Sequence, residues 1–240
     1  MSTDILDKPN ATQKATSKDT IQTINPSTGK PLDRYKMMTD QEASDAVQAT
    51  HNAFLEWKTF PLEKRAAFIQ KIGKSLAKHK EQLVKLMTEE MGKLISQGEQ
   101  EVDLCVGICE YTAQNGPKAL QDEKRTLPQG GKGVITYAPL GVIYGIQPWN
   151  FPTYQVMRYT IANLMAGNGV LLKHAENVTG SALLIEKIIS EAGLPENIFT
   201  VLRISHDQSD AIIENDLVRG VTLTGSGAAG KVVGEKAGKA

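Results

Sequence analysis

The sequence predicts an α/β fold in which a helical N-terminal layer precedes a mainly parallel sheet covered by helices. From Pro139 onward, short apolar strands alternate with amphipathic helical patterns, which is typical of parallel strands joined by helical crossovers. Upstream, residues 39–115 carry apolar residues at helical spacing. The strand at residues 141–146 runs straight into a loop that holds Trp149 and Asn150, and such loops line the ligand crevice of α/β proteins.

The composition is that of an ordinary globular protein without net charge. Lys plus Arg and Asp plus Glu both number 27 in 240 residues, so no field attracts nucleic acid or an anionic membrane, and we expect neither partner. No run reaches the roughly 18 apolar residues of a membrane span, and the N-terminus does not resemble a secretion signal. The two cysteines lie four apart in a helical pattern, unlike a secreted disulfide framework, so we expect a cytoplasmic protein.

The N-terminal elements follow from local signals. Residues 1–19 are polar and lack a period, which predicts a flexible arm. Two short extended pieces then flank a turn-like cluster at residues 27–30 and predict a small hairpin. We assign residues 20–120, which contain this hairpin and the helices after it, to an N-terminal, mainly helical part of the cofactor-binding domain.

Three helices are predicted in that part. A capping box formed by Thr39 and Glu42 starts the first helix. Pro61 opens the second as a first-turn proline, and its apolar pattern resumes through Met87. The third helix covers about residues 96–115.

A second hairpin is predicted within residues 121–138. A Gly-rich turn and a β-branched strand replace the helical pattern there. Because an uncovered strand edge is a pairing surface, we expect this hairpin to bridge to another subunit of a homo-oligomer.

Residues 139–240 are predicted to form the dinucleotide-binding α/β part. Gly193 and Pro195 stop one of its helices, and a helix that ends near Gly167 precedes the second strand. The predicted strands lie at residues 141–146, 169–173, 199–202 and 220–224, and the predicted helices at residues 154–165, 179–192, 207–215 and 227–240. Strand ends that gather on one rim predict a dinucleotide site.

Two strand ends carry residues suited to a nucleotide. Small residues at 224–230 would let the N–H groups of a helix start approach a phosphate, although glycine-rich turns also occur at tight bends, and the spacing is not G-x-G-x-x-G. Lys173 and Glu176 would reach ribose hydroxyls at the next strand end, or form a solvated pair on a loop.

Other side chains offer chemistry with an equally ordinary alternative. The amide of Asn150 would donate to a developing oxyanion, or Asn150 is a turn residue. Arg158 would clamp a carboxylate bidentately, or form a common ion pair. Cys105 and Cys109 lie mid-helix without a paired histidine, which favours core positions over nucleophiles. The four histidines have no metal-binding spacing, so we expect no metal site.

Taken together, these segments resemble the aldehyde dehydrogenase superfamily. The order and spacing match in PWNFP, LLKHAEN, GLPENIFTVL and TLTGSGAAG, at residues 148–152, 171–177, 193–202 and 222–230. INPSTG from Ile24 and EEMGK from Glu89 also look like that family, and the resemblance runs from about Thr23 to the last residue. KHA and QVMR look most like bacterial succinate-semialdehyde dehydrogenases. The resemblance implies a Rossmann-like cofactor domain.

The resemblance also implies roles for individual residues. Asn150 matches the asparagine that stabilises the oxyanion, while Arg158 and Phe151 match substrate-binding positions, with Arg158 holding the carboxylate of a semialdehyde. The implied cofactor contacts are Ile146, Trp149, Asn150, Lys173, His174, Ala175, Glu176, Gly225, Ser226 and Gly230. A carboxylate at Glu176 repels a 2′-phosphate, so we expect NAD, with NADP as the alternative.

Three departures from the family pattern bear on function. Tyr159 stands where many members have a lysine, and residues 203–206 replace a glycine-rich turn near the adenine pocket. Members of the family are nearly twice as long, with the catalytic cysteine and general-base glutamate in the second half. We therefore expect this chain to be the N-terminal half of an NAD(P)-dependent enzyme that oxidises succinate semialdehyde. The alternative is an inactive dinucleotide-binding or subunit-pairing fragment without those two residues.

Overall fold

The structure, a computed structural model, describes residues 19–240, so the predicted arm lies outside the described residues except for Asp19. The first element is an antiparallel hairpin of β1 (Thr20–Ile24) and β2 (Pro31–Lys36), as the sequence predicts. The side-chain oxygen of Asn25 accepts the N–H groups of Ser27 and Thr28 and so fixes the intervening turn.

Four helices follow, where the sequence predicted three. They are α1 (Asp40–Trp57), α2 (Leu62–Lys78), α3 (Lys80–Met91) and α4 (Ile95–Ala119). The capping box of Thr39 and Glu42 is present at the start of α1. The second predicted helix divides at His79, because its backbone leaves helical geometry at φ −97° and ψ 9°. Pro61 precedes α2 as its N-cap instead of lying in the first turn.

A second antiparallel hairpin separates the helices from the large sheet. It consists of β3 (Glu123–Thr126) and β4 (Lys132–Ile135), joined through a short 3₁₀ turn. Apolar side chains on and beside it are exposed: Leu127, Val134, Ile135 and Tyr137. The assignment of residues 121–138 as a bridging unit remains a prediction.

The rest of the described chain alternates strands and helices. The strands are β5 (Val142–Gln147), β6 (Gly169–His174), β7 (Phe199–Val201) and β8 (Val218–Leu223), and the helices are α5 (Tyr154–Ala166), α6 (Thr179–Glu191), α7 (His206–Ile213) and α8 (Gly227–Lys239). All strand pairs are parallel, in the order β7-β6-β5-β8. Gly167, in the left-handed region at φ +92°, ends α5 as expected of a C-cap glycine. The predicted α/β class with a parallel sheet is confirmed.

Two apolar cores lie on opposite faces of this sheet. Successive residues of β6 show the alternation, because Val170 and Leu172 pack into one core and Leu171 into the other. The end of α1 and helices α2 to α6 contribute to the core on the first face, while the start of α1 and α7 contribute to the core on the second. Trp57 is buried in the larger core and donates its indole N–H to the Leu164 carbonyl at 2.9 Å. Among the described residues, no helix combines the length and hydrophobicity needed to cross a membrane.

Candidate functional site

The strand order predicts a crevice at the carboxyl ends of β5, β6 and β8. The chain runs from β5 to β6 and β7 on one side, then returns to β8 on the other side of β5. Ligands of doubly wound sheets bind where the strand order reverses in this way. Ile146 is flanked by Lys173 of β6 and Leu223 of β8, and its carbonyl accepts the N–H of Thr224 at 3.1 Å. Three of the predicted site segments therefore meet at one edge of the sheet.

The loop after β5 presents its side chains to solvent. Trp149 is 50% exposed and Phe151 47% exposed. Asn150 between them is also exposed, and its amide makes no hydrogen bond to any residue in the described part of the chain. An amide placed in this way is available to an incoming ligand.

Side chains of β6 and α4 fix the backbone of the same loop. The Nε2 of His174 lies 2.9 Å from the Pro152 carbonyl. Glu101 of α4 accepts the N–H groups of Thr153 and Tyr154 at 2.8 Å and 2.9 Å. These contacts leave the side chain of Asn150 free while fixing the chain directly after it.

Lys93 and Glu101 are site-supporting residues that the sequence analysis missed. Their side chains form a buried ion pair, with Lys93 7% and Glu101 3% exposed. The Lys93 ammonium also lies 3.9 Å from the ring centroid of Phe151. A signal was present in the sequence, because Glu101 interrupts the apolar stripe of α4 formed by Val102 and Cys105.

Lys173 carries a buried ammonium. The residue is 5% exposed, and within residues 19–240 its side chain makes neither a hydrogen bond nor an ion pair at contact distance. Burial lowers the pKa of the Lys173 ammonium, and the nearby carboxylate of Glu176 partly offsets this. An unpaired buried charge is unfavourable, so this ammonium favours a ligand that supplies hydrogen-bond acceptors.

His174 and Ala175 tie β6 to the neighbouring loop. Burial lowers the pKa of His174, which favours the neutral imidazole. Nε2 lies 2.9 Å from the Pro152 carbonyl, while Nδ1 lies 3.0 Å from the backbone nitrogen of Ala175 and 3.1 Å from the Gln147 carbonyl. This arrangement leaves neither ring nitrogen free for a ligand, so the predicted cofactor contact of His174 would not involve them.

The end of β8 supplies a helix N-terminus. Ser226 is the N-cap of α8, and its hydroxyl accepts the N–H of Ala229 at 3.2 Å. Gly225 and Gly230 are exposed, and a Cβ at Gly230 would meet nothing within 4 Å. The free N–H groups of the first turn of this 13-residue helix form a site that favours an anion such as a phosphate.

Arg158 links α5 to the end of β8. Its Nη2 lies 3.4 Å from the hydroxyl of Thr224, and its guanidinium carbon 5.7 Å from the Tyr154 ring centroid. The side chain is exposed and forms no ion pair with the described residues. The guanidinium is therefore available to a carboxylate at the rim of the crevice.

Tyr159 is a packing residue. It is 8% exposed, burial raises the pKa of its phenol, and its hydroxyl donates to the Leu171 carbonyl at 3.2 Å. A Cβ on Gly145 would lie 2.2 Å from Cζ of Tyr159, so the ring needs glycine there. The residue that replaces the family's lysine fills space above β5.

Cys105 and Cys109 are free and buried in the larger core. Burial raises the pKa of both thiols, that of Cys109 to about 12. A nucleophilic cysteine needs an accessible thiolate, which neither provides. In residues 19–240, no three His, Cys, Asp or Glu side chains are grouped so as to hold a metal ion.

The segment at residues 203–206 lies beside the end of β7. Arg203 donates from Nε to the Lys36 carbonyl at 2.9 Å, and Ser205 forms a capping box with Gln208 at the start of α7. A narrow recess nearby is lined in part by His174, Glu176 and Arg203. The stretch that departs from the family's glycine-rich turn is thus ordered by its own contacts.

Comparison with known proteins adds an independent line of evidence. The aldehyde dehydrogenase family model matches residues 12–240. The chain is 38% identical over 217 residues to the NAD(P)+ succinate semialdehyde dehydrogenase Sad of Escherichia coli (strain K12), covering 90% of this chain and 47% of that protein. It is 37% identical to the NADP(+) succinate-semialdehyde dehydrogenase of Deinococcus radiodurans, covering 90% of this chain and 45% of that protein.

Comparison with solved structures gives the same family. The crystal structure of succinic semialdehyde dehydrogenase from Streptococcus pyogenes in complex with NADP+ matches with a TM-score of 0.87 at 35% identity, over 91% of this chain and 48% of that one. The chain spans about half the length of the curated relatives it matches.

Proposed function

The chain belongs to the aldehyde dehydrogenase family, and from this we propose that it provides the nicotinamide-cofactor site and an oxyanion-binding amide for oxidation of an aldehyde to a carboxylic acid. The resemblance indicated by its motifs is confirmed. One observation carries the proposal: the loop of Asn150, the buried ammonium of Lys173 and the N-terminus of α8 lie at neighbouring strand ends of one sheet edge.

These residues fit a nicotinamide dinucleotide. When bound, the nicotinamide accepts a hydride from the substrate carbon. Lys173 would donate hydrogen bonds to ribose hydroxyls, which would give the buried ammonium its missing acceptors. The first turn of α8 would lie beside the pyrophosphate, with Gly225 allowing close approach of the backbone. Ile146 and Trp149 would contribute apolar contacts.

Asn150 would act on the substrate. Its exposed amide would donate to the oxyanion that forms when a nucleophile attacks the aldehyde carbonyl. The nucleophile of this family is a cysteine, and the buried positions of Cys105 and Cys109 leave both unsuited to the role. We therefore propose that neither cysteine takes part in the reaction and that the chain by itself oxidises no aldehyde.

We propose succinate semialdehyde as the substrate. Arg158 lies about one turn into α5, without a carboxylate partner among the described residues, so its guanidinium would bind the acid end of a semialdehyde. Phe151 would line the aliphatic part. The names of the relatives in Escherichia coli and Deinococcus radiodurans support the same substrate.

We propose that Glu176 sets the cofactor preference. A carboxylate accepts hydrogen bonds from the ribose 2′-hydroxyl of NAD and repels the 2′-phosphate of NADP. Glu176 is exposed at the end of β6, three positions after Lys173. The names of the relatives include NAD(P)+ and NADP(+), and the similar Streptococcus pyogenes structure holds NADP+, so the comparisons favour NADP. The carboxylate of Glu176 instead supports NAD, and binding of both cofactors with NAD favoured is the proposal to be tested.

A fluorescence titration of the purified chain with NADH and NADPH tests the site. We expect NADH to bind more tightly than NADPH. Lys173→Met should weaken the binding of both cofactors by roughly tenfold or more, and Glu176→Gln should reduce the ratio of NADH affinity to NADPH affinity by roughly tenfold. Lys187→Met is the matched control, because this lysine is exposed on α6 and, among residues 19–240, pairs only with Glu191. Absence of binding, or equal effects of Lys173→Met and Lys187→Met, would contradict the proposed cofactor site.

An activity assay tests the assignment of the cysteines. The chain incubated with succinate semialdehyde and NAD is expected to form no NADH above a Cys105→Ser/Cys109→Ser control. Aldehyde-dependent NADH formation that this double substitution abolishes would show that one of these thiols is the nucleophile after all.

We further propose that the hairpin of β3 and β4 pairs with another copy of the chain. Its exposed Val134 and Ile135 lie on an edge strand that pairs only with β3 among the described residues. Sedimentation is expected to show an oligomer that Val134→Lys weakens. An oligomer equally stable in that variant would exclude this edge as the interface.

A further inference from the structure

Helix α5, which follows the Asn150 loop, lacks a cap of its own. Thr153 occupies the N-cap position, but its hydroxyl does not bond to the helix and instead lies 3.6 Å from the sulfur of Met87. The first N–H groups of a helix need acceptors from outside it. An acceptor from another part of the chain must therefore complete this helix start.

Glu101 provides that acceptor from 52 positions upstream. Its Oε1 receives the N–H groups of both Thr153 and Tyr154. A carboxylate at this position is also favoured by the positive end of the helix dipole. We propose that Glu101 is a positioning residue for the oxyanion-binding loop, an inference that rests on the function proposed above for Asn150.

Lys93 completes the arrangement. Its ammonium pairs with the other carboxylate oxygen of Glu101 and lies against the ring of Phe151. Two contacts from one ion pair thus reach the residue directly after Asn150 and the helix start that follows. Because Asn150 has no hydrogen bond of its own to the described residues, its placement depends on these neighbours.

The chain contains a matched example of the same device. Helix α6 begins after Val178 without a side-chain cap, and Glu90 at the end of α3 accepts the N–H groups of Gly180 and Ser181 at 2.7 Å and 2.9 Å. Glu90 is also 3% exposed. It fixes the helix after β6, as Glu101 fixes the helix after β5.

This arrangement divides the support of the site between two carboxylates. Oxyanion stabilisation depends on a donor that is already in place when charge develops. Loss of Glu101 should therefore affect the Asn150 loop, and loss of Glu90 the segment that carries Glu176. A residue that merely stabilises the fold would not show this separation.

Amide hydrogen exchange of the chain without nucleotide provides the test. In Glu101→Ala, protection at Thr153 and Tyr154 is expected to fall by roughly ten- to hundredfold while Gly180 and Ser181 stay protected. In Glu90→Ala the pattern is expected to reverse. Glu101→Gln keeps a side-chain acceptor, so it should restore most of the protection at Thr153 and Tyr154.

A second variant addresses the unpaired charge that Glu101→Ala leaves in the core. Lys93→Met/Glu101→Ala removes both charges, so the chain is expected to fold and still lose protection at Thr153 and Tyr154. Unchanged protection in that variant, or equal losses at both helix starts in every variant, would overturn the proposal. Exchange is measured without nucleotide, so failure of NADH to bind would count against the proposed function alone.

Discussion

The Nε2 of His174 and the carbonyl oxygen of Pro152 lie 2.9 Å apart and join the end of β6 to the loop that carries Asn150. The ring is 6% exposed, and burial lowers its pKa despite the two neighbouring carbonyl groups. With hydrogen on Nε2, the neutral ring donates to Pro152 and accepts the N–H of Ala175 at Nδ1. The Gln147 carbonyl, 3.1 Å from Nδ1, then accepts its hydrogen bond from the same Ala175 N–H and not from the ring.

The burial of the His174 ring predicts an acid-sensitive contribution to stability. Because the pKa of His174 is lower in the folded chain, the unfolded chain binds more protons, and stability falls as pH drops through about 6.5, the usual histidine value. Urea unfolding between about pH 7 and about pH 5 measures the slope, which one proton limits to about 1.4 kcal/mol per pH unit. His174→Gln should flatten it, whereas the exposed His206→Gln should not. Equal slopes in both variants would refute the prediction.

The contact of Tyr159 with β5 predicts that Gly145→Ala destabilises the chain by about 3 kcal/mol, because the new Cβ would overlap the buried ring. Gly107→Ala is the control, since a Cβ there meets nothing within 4 Å and alanine favours the helix by roughly 0.5–1 kcal/mol. In a double-mutant cycle, Tyr159→Ala should relieve part of the Gly145→Ala penalty. Strictly additive effects in urea unfolding would contradict a clash between these two residues.

The elements that the sequence predicted are those specified by nearby residues. The capping box of Thr39 and Glu42, the apolar strands after Pro139 and the stop at Gly167 all act within a few positions, and the structure has each of them. His79 was missed because the apolar period of the helix continues past it, and only the backbone shows the break.

The support of the site could not be predicted in the same way. Glu101 lies 52 positions from Thr153, and Glu90 lies 90 positions from Gly180, so neither pair forms a local pattern. Tertiary packing alone brings a buried carboxylate to each helix start. The strand-end residues were easier to anticipate, because parallel strands place their carboxyl ends on one edge.

The buried ammonium of Lys173, which has no hydrogen bond or contact ion pair within residues 19–240, predicts that this residue favours binding at the expense of stability. Lys173→Met should raise the free energy of unfolding by about 1 kcal/mol, because an apolar side chain of similar length avoids burying an unpaired charge. Urea unfolding without nucleotide measures this, and the exposed Lys187→Met should change stability by less than about 0.5 kcal/mol. A less stable Lys173→Met variant would indicate that the ammonium contributes to the fold itself.

The exposed amide of Asn150 predicts a variant that keeps its stability but loses activity. Asn150→Ala should leave the free energy of unfolding within about 0.5 kcal/mol of the original value, because the amide has no hydrogen-bond partner in the described part of the chain. In a fusion of this chain with the part of the Escherichia coli relative that it does not cover, the same change should lower kcat by roughly 10²- to 10³-fold, since the developing oxyanion loses a donor. Asn177→Ala, an exposed asparagine on the neighbouring loop, is the matched control and should leave kcat unchanged. An unaltered kcat in Asn150→Ala would remove Asn150 from the reaction, and a large loss of stability would show that its amide supports the loop instead.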